Sequence, residues 1–455
     1  MDLVRRWKGF VSQGAVRSVT VLIGGTTLAQ AITILALPLL TRLYRPEDFS
    51  VLAVYASVVN IVSVITCLRF DIAVPMPKRE DEAALLLTLA VGSSLLFGCF
   101  FAVVVLSIPK QIVGLLGQPR LEEFLPLLPM GIFLASSFSA LQYWATRHKK
   151  FGHIARAQIV QAGGGVSAQL GIGFFSHSLI GLILGQMISN GAGIFSLLRV
   201  SVREVRNLLP SISLSDLRRT FVAYSRYPKY STLESLSNSA AIQLPIIIIA
   251  SVGVNAEAGY LMLAMRVMQA PMAFIGGAIS QYYLSRAPEA HRKGILGSFT
   301  ADVLTGLFRT GVGPLVFAGI IAPDVFGILF GRGWERAGEL LMWMVPWFVL
   351  QYLASPISLV VYVRDRQKSM LLLSVFGLLL RIVAIGLATY FSPARVSEAY
   401  ALSGAVFYGI CLVVFSGFAS ISPGGIVRLG LRGCTAVGLW CVAALIVKVF
   451  VVGFL

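Results

Sequence analysis

The sequence predicts an all-α polytopic membrane protein, with about 12–13 transmembrane helices in two six-helix bundles related by a pseudo-twofold axis. Three observations predict it. Of the 455 residues, 57% are hydrophobic and only 13% charged, and the mean hydropathy is +0.83, whereas a soluble domain carries about 25% charged residues. The apolar runs are continuous over roughly 20 residues, the length of one helical crossing. They do not alternate, which excludes a membrane β-barrel. Finally, Lys and Arg gather in every second connection, as orientation in a membrane requires.

The elements follow in order. The first apolar run, roughly 19–41, is too long for a signal-peptide core and has no A-x-A-like exit, so it is expected to stay as a span. It carries Pro38 near its end and Arg42 and Arg45 just beyond. Further helices are expected at roughly 51–73, 83–108, 124–146, 155–175 and 177–198. A basic connector over 199–229 precedes spans at roughly 231–253, 256–284, 303–323, 338–362, 369–391 and 396–419. A last run at about 434–454 predicts an extra helix within 421–455. The expected domains are an N-terminal bundle over 1–198, the connector 199–229, a second bundle over 230–420, and this tail.

The net charge is +17. One set of alternate connections holds about 26 of the 37 Lys and Arg residues, and the opposite set about seven. That bias predicts a cytoplasmic N-terminus. It also accounts for the positive charge as topology, so no nucleic-acid partner is expected. Arg42 and Arg45 then fall on the periplasmic side, beside Glu47 and Asp48.

Internal matches suggest a parallel duplication. LALPLL at 35–40 resembles IQLPII at 242–247, each placing a proline late in the lead helix of its half. The turns RHKKF at 147–151 and RDRQK at 364–368 are both short and basic. The second and eighth spans each enter a charged turn beginning with an arginine, Arg69 and Arg286. A proline interrupts the helical ladder, so Pro38 and Pro245 are either a pair of hinges or static bends.

Ionisable residues inside spans are costly and mark pathways or internal pairs. Arg266 lies in the middle of the eighth span and Arg381 in the middle of the eleventh. For Arg266 the choice is a cavity cation meeting an anionic headgroup, or an ion pair with Glu234 or Glu257. For Arg381 it is a cavity role or a structural hydrogen-bonding role. Arg42 is a substrate ligand or a snorkelling anchor. Glu234 is a candidate for carrying a coupling proton if it is buried, and otherwise an interfacial cap. Arg69 and Asp71 form an interfacial pair, or bind lipid phosphate. Glutamines and asparagines within the spans, among them Gln158, Gln161, Gln169, Gln186 and Asn190, either join helices or line a wet cavity. The glycines at 163–165, Gly185 and Gly193 permit close packing.

No catalytic arrangement is present. The four histidines lack metal-ligand spacing, and there is no phosphate-binding loop, so neither a metal nor a nucleotide cofactor is expected. The five cysteines lie in or beside apolar spans without a zinc or redox pattern. The long periplasmic loop that a membrane glycan polymerase would need is missing.

The stretch GGTTLAQAITILALPLLTRLYRPEDFSVLAVYASVVNIVSVITCLRFDIAVPMPKREDEA, Gly24 to Ala83, resembles Wzx-type polysaccharide and O-antigen flippases of the multidrug/oligosaccharidyl-lipid/polysaccharide (MATE-like) exporter superfamily. The likeness rests on T-R-L-Y-x-P-E-D-F at 41–49 and the helix end L-R-x-D-x-A-x-x-x-P at 68–77. Ser50 stands where a glycine is usual and Asp71 where glutamate is frequent. The eighth span, with A-M-R-V-x-Q-A-P, is similar too. The resemblance implies a bacterial inner-membrane flippase that moves undecaprenyl-diphosphate-linked oligosaccharide by alternating access, and it matches Arg266 with a cavity arginine. It also implies membrane lipids as surroundings and the polymerase and chain-length regulator of the same pathway as partners. A multidrug exporter of the same superfamily and a membrane glycan polymerase are the alternatives. The arginines within the spans count against the first, since a cation exporter needs an acidic cavity.

Overall fold

The computed structural model describes residues 13–176, 178–205, 213–252, 256–364 and 366–453. Arg5, Arg6, Lys8 and positions 206–212 of the connector lie outside the described residues. Thirteen long helices run through the described residues. Six precede the connector: α1 (Gln13–Leu43), α2 (Pro46–Thr66), α3 (Glu80–Ser107), α4 (Leu127–Arg147), α5 (Phe151–Ser176) and α6 (Ile180–Val205). Seven follow it: α7 (Thr232–Val252), α8 (Glu257–Arg292), α9 (Leu296–Phe330), α10 (Glu335–Ile357), α11 (Gln367–Phe391), α12 (Val396–Phe418) and α13 (Pro423–Gly453). A wide turn at Phe308–Val312 interrupts α9.

Nine of these are long and apolar enough to cross a membrane by length and composition, among the described residues. The other four are α4, α5, α8 and α13. In α4 and α5, serines and glutamines such as Ser136 and Gln161 lower the hydropathy. Several helices outrun the apolar stretch that predicts them. α1 starts at Gln13, α6 continues to Val205 and α13 starts at Pro423. Charged residues such as Arg199 do not stop a helix; caps and prolines do.

Packing divides the chain into two units. One comprises Met1–Tyr44 with Tyr55–Ser239, the other Arg45–Val54 with Ala240–Leu455. The boundary lies inside α7, beyond the 199–229 connector. The reason is that the connector's described part packs onto the first unit. A capping box of Ser213 and Asp216 opens a short helix, Leu214–Ala223, and the Ser213 hydrogen bonds hold the Asp216 carboxyl below the usual carboxylate range. That helix lies against α3; Phe221 meets Phe70, and the Tyr224 hydroxyl donates to Glu82 at 3.1 Å.

Within each unit the same pairs of helices meet. The third packs on the fourth, the fourth on the sixth, and the fifth on the sixth: α3–α4, α4–α6 and α5–α6 in one, α9–α10, α10–α12 and α11–α12 in the other. This repetition is the duplication that the proline and basic-turn matches imply. In the first unit, small residues allow close approach. A side chain at Gly25 would strike Ala155 of α5, and one at Gly165 would strike Ser189 of α6. In the second unit the segment Arg45–Val54 packs with the start of α8 and with Trp334. Phe49 meets the Trp334 ring at 4.9 Å, and the Pro46 carbonyl occupies the space beside Gly259. α13 lies along α9, where Lys448 pairs with Asp324 at 3.1 Å.

Candidate functional site

The predicted site residues occupy unlike environments. Arg266 sits half-buried in the first third of α8, at its tenth residue. Of the two carboxylates considered as its partner, Glu257 is bonded to other groups and Glu234 is exposed. Both oxygens of Glu257 are taken, one by Arg336 at 3.0 Å and one by the Ser397 hydroxyl at 2.6 Å. Glu234 is exposed in the first turn of α7. Without burial Glu234 lacks the feature its coupling role requires, and its charge suits a helix N-terminus. Arg42 is exposed in the last turn of α1. Asp48 accepts a hydrogen bond from the Arg45 backbone N–H at 3.0 Å, helping to start α2.

Arg381 is only 3% exposed. Its guanidinium lies 4.8 Å from the Phe407 ring centroid and 5.8 Å from that of Trp347, and donates to the Ala241 carbonyl of α7 at 3.3 Å. The surroundings are protein on every side named. No contact joins it to Arg266 among the described residues.

Arg69 and Asp71 do come together, at 3.9 Å. Leu68 and Arg69 both adopt left-handed backbone, φ 49° and 57°, a conformation that costs a branched or long side chain about 1 kcal/mol or more. The turn brings Asp71 under α4, where its buried carboxylate accepts from the Ser139 hydroxyl at 2.8 Å. The other Asp71 oxygen and the Arg69 Nε are buried without a partner.

The glutamines of α5 and α6 are joined rather than open. Thr26 donates to Gln158 at 2.7 Å, Gln161 to the Asn190 carbonyl at 3.1 Å, and Gln186 to the Asn190 side chain at 3.2 Å. Gln169 is buried beside Gly185. The Thr26–Gln158 and Gln161–Asn190 bonds hold helices together, and the Gln186–Asn190 bond lies within α6.

One polar cluster was not legible from the sequence. Arg336, at the start of α10, reaches Glu257 of α8, Glu339 on its own helix, and Glu398 of α12 at 2.6 Å. It ties three helix starts with one guanidinium. Counted only as a loop charge, Arg336 gave no sign of this; the available signal was that Glu257, Glu339 and Glu398 each sit in the first turn of an expected helix.

The sequence matches the family described as "Polysaccharide biosynthesis protein" over residues 39–338. The chain belongs to that family. Among curated proteins none matches it in sequence. Its fold is that of solved transporters of the exporter superfamily. The lipid II flippase MurJ, in an inward closed conformation, aligns with a TM-score of 0.70 at 11% identity, covering 96% of this chain and 97% of that one. An inward-facing multidrug resistance MATE family transporter aligns at 0.57 with 13% identity, over 89% and 98%. A superfamily transporter from Pyrococcus furiosus Vc1 (DSM3638), whose binding pocket is described as having reverse polarity, aligns at 0.55 with 12% identity, over 89% and 95%. The chain is therefore a multi-pass membrane protein of the polysaccharide biosynthesis family with the fold of these transporters.

Proposed function

We propose that this protein moves undecaprenyl-diphosphate-linked oligosaccharide, the repeat unit of an O-antigen, capsule or exopolysaccharide, across the bacterial inner membrane by alternating access. The observation that carries the reading is Arg266: a cation inside a long helix, at its tenth residue, in a chain of the polysaccharide biosynthesis family. A charge within a membrane span is costly and is kept where it meets an anion. A guanidinium suits a diphosphate because its planar fork gives two charge-assisted hydrogen bonds to phosphate oxygens. On this reading Arg266 receives the diphosphate, the lipid tail stays in the bilayer, and the N-terminus is cytoplasmic. Arg42 is a second, exposed contact for the same charge at the far end of α1. The membrane lipids and the pathway's polymerase and chain-length regulator are its neighbours.

Deleting the gene tests the class of substrate. Loss of surface glycan with unchanged drug sensitivity is expected; heightened drug sensitivity with normal glycan would make the protein a multidrug exporter instead. In the deletion strain, Arg266→Ala is expected to restore no glycan although the protein reaches the membrane, and Arg266→Lys to restore part of it. Full restoration by Arg266→Ala would remove this residue from the substrate path.

A further inference from the structure

Pro245 has no backbone N–H, so the carbonyl four residues earlier loses its helical partner. That carbonyl belongs to Ala241. It is the atom to which Arg381 Nη1 donates, at 3.3 Å. The next carbonyl along, Ile242, accepts from the Tyr400 hydroxyl at 3.4 Å. Thus α11 and α12 each send one side chain to the turn of α7 that the proline interrupts.

The donor is built in. The Arg381 guanidinium lies beside the rings of Phe407 and Trp347. Trp347 stands edge-on to Tyr400 at 5.0 Å and stacks on Phe348 at 5.4 Å, with the planes 3° apart. Two glycines make the room: a side chain at Gly377 would strike the Phe407 ring, and one at Gly404 would strike Trp347. A desolvated cation needs such compensation. Cation–π contact attracts a guanidinium most strongly where water is excluded, and the carbonyl supplies the hydrogen bond.

We infer that Arg381 is a positioning residue for transport: it replaces the hydrogen bond that Pro245 removes and clamps the bend of α7 to α11 and α12. It does not touch the transported molecule. The inference rests on the flippase reading only for the word transport; the clamp itself is a statement about α7. A lone donor such as glutamine could satisfy the carbonyl, but it could not also stack against two rings as a planar cation does.

A double-variant cycle tests this, because Pro245→Ala gives the Ala241 carbonyl a backbone partner again. The full-length protein is purified in lipid nanodiscs, and amide hydrogen exchange is followed over residues 242–252. Glycan display is scored in the deletion strain at matched membrane levels. Arg381→Met is expected to speed exchange in that segment at least tenfold and to cut glycan display about tenfold. Adding Pro245→Ala should bring both back to within twofold of Pro245→Ala alone, and Arg381→Lys should fall between. If Arg381→Met fails to reach the membrane, recovery of the double variant supports the clamp, and failure of the double variant overturns it. Persistence of the Arg381→Met defects after Pro245→Ala also overturns it, placing Arg381 in contact with something other than α7. If exchange follows the cycle while the wild-type gene itself restores no glycan, the flippase reading falls and the clamp stands.

Discussion

The lead helices of the two units look alike in sequence and differ in chemistry. Each carries a proline late in the helix, Pro38 in α1 and Pro245 in α7. In α7 the carbonyl freed by the proline is met by Arg381, and its neighbour by Tyr400. In α1 the equivalent carbonyl belongs to Ile34, and among the described residues no side chain donates to it; Thr41 instead donates to the Pro38 carbonyl at 3.1 Å. α1 is held elsewhere, by Gly25 against α5 and by the Tyr44 hydroxyl donating to the Gln169 carbonyl at 2.7 Å. A proline marks where a helix can bend. Whether it does bend depends on what satisfies the freed carbonyl, which lies on another helix and is invisible in the motif.

The same contrast applies to the basic turns. Arg147 donates to the Pro77 carbonyl at 2.6 Å, reaches the Val74 carbonyl at 3.4 Å, and pairs with Glu80 at 3.2 Å. Arg364, in the matching turn, makes one side-chain hydrogen bond among the described residues, to the Ser420 hydroxyl at 2.9 Å. Equal charge in equivalent turns therefore does unequal structural work.

Several variants would break or sharpen these comparisons. The largest loss is expected from Gly404→Leu, which drives a side chain into the Trp347 ring; overpacking of this kind costs about 1–3 kcal/mol or more, and thermal unfolding in detergent should show it as a clear fall in Tm. Next is Arg147→Met, which removes the donor to the carbonyls of Val74, Pro77, Lys78 and Arg79, at about 2–3 kcal/mol in the same assay. Arg364→Met should cost only about 1 kcal/mol; equal losses from the two would erase the contrast between the turns. Pro38→Ala is expected to leave Tm within a degree or two while slowing glycan display several-fold, if the unclamped proline is the one that flexes. Unchanged display would mean that α1 works as a straight helix. The smallest effect belongs to Asp81→Asn, whose bidentate pair with Arg79 is solvent-exposed; such pairs add little, and Tm should not move measurably.

The helical crossings, their number and the duplication were readable because they rest on runs of residue types, which survive without any knowledge of contacts. Arg381 was readable as a buried cation but not as a clamp, since its partner carbonyl is on a helix 140 residues away in the chain. The glutamines of α5 and α6 were equally ambiguous. An amide that lines a cavity and one that bonds a facing helix have the same sequence signature, and only the Gln161–Asn190 geometry separates them. Glu234 was ambiguous for a related reason: its position near a helix start says nothing about depth. The Arg336 cluster escaped notice because its four carboxylate and guanidinium groups come from three helix starts that are far apart in the chain.

The central claim is that an arginine inside α8 handles a lipid-linked diphosphate. Its most direct test is reconstitution of the purified protein in liposomes that carry a fluorescent polyprenyl-diphosphate oligosaccharide on both leaflets, with the sugar read by an impermeant quencher. The wild-type protein is predicted to make the inner-leaflet pool accessible and Arg266→Ala to leave it protected. Equal exposure by both proteins, or none by the wild type, would contradict the account.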